Sequence, residues 1–78
     1  MPNKLLNELM AQGYEVKFKH QTFPLGNFKY PEILINVSRG KHHVECVFDS
    51  DILLDEEYLK IAIQSLVRQV NTLEAENG

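Results

Sequence analysis

Apolar residues change their spacing several times along this chain, and each change marks an element. Leu5, Leu6, Leu9 and Met10 recur at helical intervals, with Asn3 placed to cap the start and Gly13 to supply a left-handed stop. A helix is predicted over roughly residues 4–12. So short a helix does not hold alone in water and must lean on a sheet. Tyr14, Val16 and Phe18 then alternate with Glu15, Lys17 and Lys19, the pattern of a half-buried strand reaching at most His20. Residues 21–31 break the alternation. Phe23-Pro24, Gly26-Asn27 and Tyr30-Pro31 predict a turn-rich loop. Its Phe23, Leu25, Phe28 and Tyr30 are expected to cap the core, the alternative being a contact surface.

Alternation returns over residues 32–38 and 41–48, two strands joined by Arg39-Gly40 as a two-residue hairpin turn. With Ser38 opposite Lys41, the register pairs Val37 with His42, Ile35 with Val44 and Ile33 with Cys46. The strongly apolar residues then share one face, and Leu34 with Glu45 and Asn36 with His43 share the other. Residues 49–55 read as a linker whose Ile52, Leu53 and Leu54 tuck under the sheet edge or start a short turn. Asp55 caps a long helix. Leu59, Ile63, Leu66, Val70 and Leu73 step by four, three, four and three along it, with Ile61 and Val67 off the stripe. Residues 74–78 are expected to fray.

The predicted fold is therefore α+β. A short N-terminal helix, a three-stranded antiparallel sheet and a long C-terminal helix follow in order, both helices lying on the face shown by Tyr14, Val16, Phe18, Ile33, Ile35, Val37, Val44, Cys46 and Phe48. Seventy-eight residues bound it to one small domain over 1–78. A chain of this size buries only about 60% of its unfolded surface, so the core is thin. Cys46 is the single cysteine, which excludes an internal disulfide and fits a reducing cytoplasm. Alternating with apolar neighbours, it is expected to lie in the core. Met1-Pro2-Asn3-Lys4 opens no long apolar run, so neither a signal peptide nor a membrane anchor is expected.

The net charge of −3 is unevenly spread: six Lys/Arg face three Glu up to Val44, and eight acids face Lys60 and Arg68 after it. Five of those acids, Asp49, Asp51, Asp55, Glu56 and Glu57, fall between the last strand and the long helix. Carboxylates suit the start of a helix and a turn, so capping and solubility account for part of the cluster. The remaining reading is an anionic surface that docks into a basic groove of a protein. An EF-hand loop is rejected, because Leu53 stands at its fifth position, Leu54 replaces its Gly and Lys60 its closing Glu. His42, His43, Glu45 and Cys46 include metal-ligand types but split between two sheet faces, short of the three or four ligands zinc takes. His42 is expected at the core margin and His43 on the open face. No metal, cofactor or catalytic constellation is expected. Lys17 and Lys19 share the open face with Glu15, Glu32 and Glu45, a mixture unsuited to phosphate.

The order αβββα, with Leu5-Leu6-Asn7-Glu8-Leu9 in the first helix, resembles a double-stranded-RNA-binding domain. That family binds through a Lys-rich start to its second helix, where this chain reads Asp55-Glu56-Glu57-Tyr58-Leu59-Lys60. The charge is inverted, and direct nucleic-acid binding is not expected. Asn3-Lys4-Leu5-Leu6-Asn7-Glu8 leading into Tyr14-Glu15-Val16-Lys17-Phe18 is also similar to small phage-encoded anti-CRISPR proteins, which bind a CRISPR effector nuclease as acidic DNA mimics. That resemblance implies a non-catalytic inhibitor from a phage or other mobile element, in which Asp49, Asp51, Asp55, Glu56 and Glu57 stand in for phosphates against a larger nucleic-acid-handling protein. The alternative is a small structural protein that self-associates as a homodimer through surplus apolar surface on the long helix.

Overall fold

The computed structural model of the chain describes residues 3–77. Met1, Pro2 and Gly78, the outermost parts of the N-terminal segment and of the tail considered above, lie outside the described residues. The elements follow as α1 (Asn3–Ala11), β1 (Glu15–Leu25), β2 (Phe28–Arg39), β3 (His42–Asp49), a 3-10 helix (Ser50–Leu54) and α2 (Glu56–Asn77). The strands form one open antiparallel sheet in the order β1-β2-β3. This is the α+β arrangement the apolar pattern predicts.

Asn3 is the first residue of α1 rather than its cap. The helix stops where expected. Gly13 takes φ +91°, the Tyr14 N–H donates to the Leu9 carbonyl at 2.9 Å and the Gly13 N–H to the Met10 carbonyl at 3.0 Å. Such a pair of bonds closes a helix with a left-handed residue, and it turns Tyr14 into the core. The centre of that core is β2. Its Ile33, Ile35 and Val37 lie buried with Leu59, Ala62, Ile63, Leu66 and Val70 of α2, flanked by Leu9 of α1 and Ile52 of the 3-10 helix. The stripe on α2 is thus used against the sheet, while Ile61 points away and is 61% exposed.

Arg39, at the end of β2, ties both helices to the sheet. Its Nε and Nη2 donate to Glu74 Oε1 at 2.9 and 2.6 Å, and Nη2 also donates to Asn71 Oδ1 at 2.8 Å. The guanidinium lies 4.1 Å from the centre of the Tyr14 ring, and the Tyr14 hydroxyl donates to the same Asn71 oxygen. The hydrogen bond to the Glu74 carboxylate raises the Arg39 pKa above its ordinary value. The tail expected to fray from residue 74 is instead helical through Asn77 and anchored at Glu74.

Two further sequence expectations are corrected. The hairpin turn between β2 and β3 is Gly40-Lys41, with Arg39 opposite His42. Val37 therefore pairs with Val44, Ile35 with Cys46 and Ile33 with Phe48. A primed turn with a non-Gly residue at negative φ second places its glycine first, and Gly40 at φ +62° fills that position. The slip is two residues, so every side chain keeps its predicted face.

The larger correction concerns residues 21–31, which are strand rather than loop. Leu25 lies opposite Phe28 across the turn Gly26-Asn27, with Gly26 at φ +59°. The prolines fit because of ladder parity. Residues flanking a two-residue turn exchange hydrogen bonds, so Pro24 and Pro31 both fall on non-bonded positions whose nitrogens point away from the partner strand. No strand waits there, since β1 is an edge and β3 ends at Asp49, opposite Glu32.

The hairpin therefore projects beyond the helices as an arm. Residues 22–31 are all exposed, and Phe23, Leu25, Phe28 and Tyr30 share the sheet face turned away from the helices. They do not cap the core. The arm also explains a radius of gyration of 13.7 Å, where a compact chain of this length has about 11.5 Å.

Core and arm separate in their response to mutation. Ile35→Ala removes a wholly buried side chain and is expected to cost about 2–5 kcal/mol in urea unfolding. Phe28→Ser, at a residue 62% exposed, is expected to stay within about 0.5 kcal/mol of the parent.

Candidate partner-binding surface

The five acids of the sequence reading are all exposed, but the fold divides them. Asp49 ends β3 and Asp51 lies in the first turn of the 3-10 helix. Asp55 caps α2, its Oδ1 accepting the Tyr58 N–H at 3.1 Å. These three line one hollow of about 290 Å³ with Phe48, Ile52 and Tyr58. Asp49 also accepts the Tyr30 hydroxyl from the base of the arm. Both donors named here are neutral, so they orient the carboxylates without cancelling their charge. Glu56 and Glu57 sit one step round the helix, in a separate hollow shared with Lys4, Glu8 and Lys60. Two cations stand beside those acids, and the field at that position is mixed.

Cys46 departs from its expected place. It points to the helix face as predicted, yet it is exposed. The cause is its strand. β3 is a sheet edge, and beside it α2 leaves a groove of about 360 Å³ into which Cys46 looks, lined also by Phe48, Tyr58, Ile61, Ala62 and Leu66. Sequence alternation gives the face of Cys46 but not which strand the helix covers. The exposed Ile61, off the main stripe, was the one hint of this groove.

The histidines lie on opposite faces. His42 is half-buried on the helix side, and His43 is exposed on the open side, in a shallow hollow with Lys17, Lys19, Leu34, Asn36 and Glu45. On that open face Lys17 Nζ lies 3.1 Å from Glu15 as an ion pair, and the neutral Asn36 Nδ2 donates to Glu45 at 3.2 Å. Among the described residues no three His, Cys, Asp or Glu side chains gather as a metal site. No described helix is long and apolar enough to cross a membrane.

The Tyr30–Asp49 bond links the arm to the acidic end and has a pH signature. Hydrogen bonding to the Asp49 carboxylate is the largest cause raising the Tyr30 pKa above about 10. A raised phenol pKa means that the neutral donor is favoured in the folded chain. The contribution is complete below the ordinary tyrosine value and is lost as pH rises through the folded one. NMR titration of the Tyr30 ring should give a midpoint above that of a free tyrosine, returning toward it in Asp49→Asn. An unchanged midpoint in that variant removes the bond from the account. Set against family models, curated proteins and solved structures, the chain matches none, and the functional reading rests on the chemistry of its surface.

Proposed function

We propose that the chain is a non-catalytic protein-interaction module that docks its acidic end onto a basic surface of a larger, nucleic-acid-handling protein. The observation that carries this reading is the hollow in which Asp49, Asp51 and Asp55 gather, exposed, with neutral hydrogen-bond donors on Asp49 and Asp55. Carboxylates so arranged favour cationic side chains and repel phosphate. Glu56 and Glu57 extend the acidic end toward α1 and share their place with Lys4 and Lys60, so they contribute less.

Similarity in pattern to phage-encoded anti-CRISPR proteins supports a specific form of this reading. In it the chain is a cytoplasmic inhibitor from a phage or mobile element, and its carboxylates occupy phosphate positions in the DNA groove of an effector nuclease. The start of α2 argues against duplex RNA or DNA as the partner, because Asp55, Glu56 and Glu57 stand where a phosphate binder displays cations. Self-association through α2 has little surface left, since the stripe is buried on the sheet and Tyr58 and Ile61 are its large exposed apolar residues.

The test is displacement of labelled duplex DNA from a CRISPR effector nuclease by the purified chain. The affinity of the chain for the DNA-free nuclease, measured directly, should weaken by about tenfold or more between low and high salt, and by a similar factor in Asp51→Lys. Salt-independent binding to the nuclease, or tight binding of the chain to the bare duplex, contradicts the reading.

A further inference from the structure

Strand order leaves β1 and β3 as the edges of the sheet, and the two edges differ. The β1 edge carries Lys17, Lys19 and Pro24, the features that keep an edge from pairing with another chain. The β3 edge, from His42 to Asp49, has neither Lys nor Pro. Its hydrogen-bonding parity is set by the hairpin. Arg39 and His42 flank the two-residue turn, so the even residues of β3 bond to β2. The N–H and C=O groups of His43, Glu45 and Val47 then point outward from the sheet, with the Val47 carbonyl accepting a weak contact from the Cys46 thiol at 3.8 Å.

Directly beside this edge runs the groove between β3 and α2, its apolar part formed by Cys46, Phe48, Tyr58, Ile61 and Leu66 and its polar rim by Glu45, Ser65 and Gln69. Phe48 and Tyr58 also line the hollow of Asp49, Asp51 and Asp55, so the apolar groove opens at one end onto the acids. A free edge offers backbone hydrogen bonds, and a groove beside it takes alternate side chains of an added strand. Together they are the parts of recognition by strand addition.

We propose that the β3 edge receives an extended segment of the partner protein, with an apolar side chain seated beside Cys46 and Ile61 and a Lys or Arg reaching the Asp49–Asp51–Asp55 hollow. The inference rests on the acidic end being a docking surface and names the chemistry of what docks there. Side chains two positions apart share a face and lie about 7 Å apart, so the segment reads apolar-x-basic along that face. A second copy pairing through its own β3 is a poorer occupant, because that strand has no Lys or Arg to offer the acids. The apolar arm is not needed for this contact, since it lies beyond the end of β3.

Cys46, the single thiol, reports occupancy of the groove. The probe is an acetylated eight-residue peptide alternating Thr with Val and Leu, with Lys two positions after the Leu. Saturating peptide should slow maleimide labelling of Cys46 about tenfold or more, and should slow amide exchange at His43, Glu45 and Val47. Replacing the peptide Lys by Glu should weaken binding about tenfold. Ile61→Lys, at an exposed position and so expected to melt as the parent does, should abolish peptide binding. The inference is overturned if N-methylating the peptide backbone leaves binding unchanged, if Ile61→Lys binds as the parent does, or if the β3 amides are already protected in a dimer of the chain alone. A chain that displaces DNA from the effector nuclease yet ignores the peptide overturns strand addition and leaves the acidic docking reading standing.

Discussion

Burial of the α2 stripe on β2 decides where every other part of this chain ends up. Ile33, Ile35 and Val37 alternate on one strand, Leu59, Ile63, Leu66 and Val70 repeat at helical spacing on one helix, and the five most deeply buried large side chains, Ile35, Val37, Leu59, Ile63 and Val70, are all among them. A domain this small has little else to hold it. α2 packs on β2 and β3 and α1 on β1, and none of residues 22–31 is buried beneath either helix. What lies outside that footprint is surface of necessity: the open sheet face, the β3 edge and the hairpin arm.

Electrostatics then sort the surface into held and free groups. Arg39 is held, since Glu74, Asn71, the Gln12 carbonyl and the Tyr14 ring surround it and join β2 to the ends of both helices. Lys17 is paired with Glu15 on the open face. By contrast, Asp49 and Asp55 take hydrogen bonds from a hydroxyl and an amide, which fix their direction and leave their charge to act on whatever approaches. The negative end of the molecule is thus also the end where the apolar groove and the arm begin, and the three features meet around Phe48, Tyr58 and Tyr30.

Much of this was legible in the sequence, for reasons that also explain what was not. Helix and strand periods are local, so α1, the stripe of α2 and the faces of β2 and β3 follow from residue spacing alone, and Asp55 caps α2 as its position suggests. The arm was missed because prolines read as breakers. Pro24 and Pro31 are tolerated through ladder parity and the absence of a neighbouring strand, a tertiary condition that no short window contains. The flanking alternation of Phe23 and Leu25 with Phe28 and Tyr30 around Gly26-Asn27 was the available signal. Cys46 was misplaced for a related reason: alternation assigns a face, whereas burial depends on which strand the helix lies over. The acids were legible as a cluster in sequence, and their division into two hollows depends on the turn that the 3-10 helix inserts between β3 and α2.

What the helices leave uncovered is an open edge, a groove with an acidic mouth and a projecting arm. The account therefore turns on the core being confined to the footprint of α2. Residue-resolved hydrogen exchange of the isolated chain tests this most directly. Amides of Ile33, Ile35 and Val37 should exchange only through global unfolding, and those of Phe23, Leu25, Phe28 and Tyr30 far faster through local opening of the arm. Equal protection of arm and core would place the arm inside the cooperative unit and contradict the account.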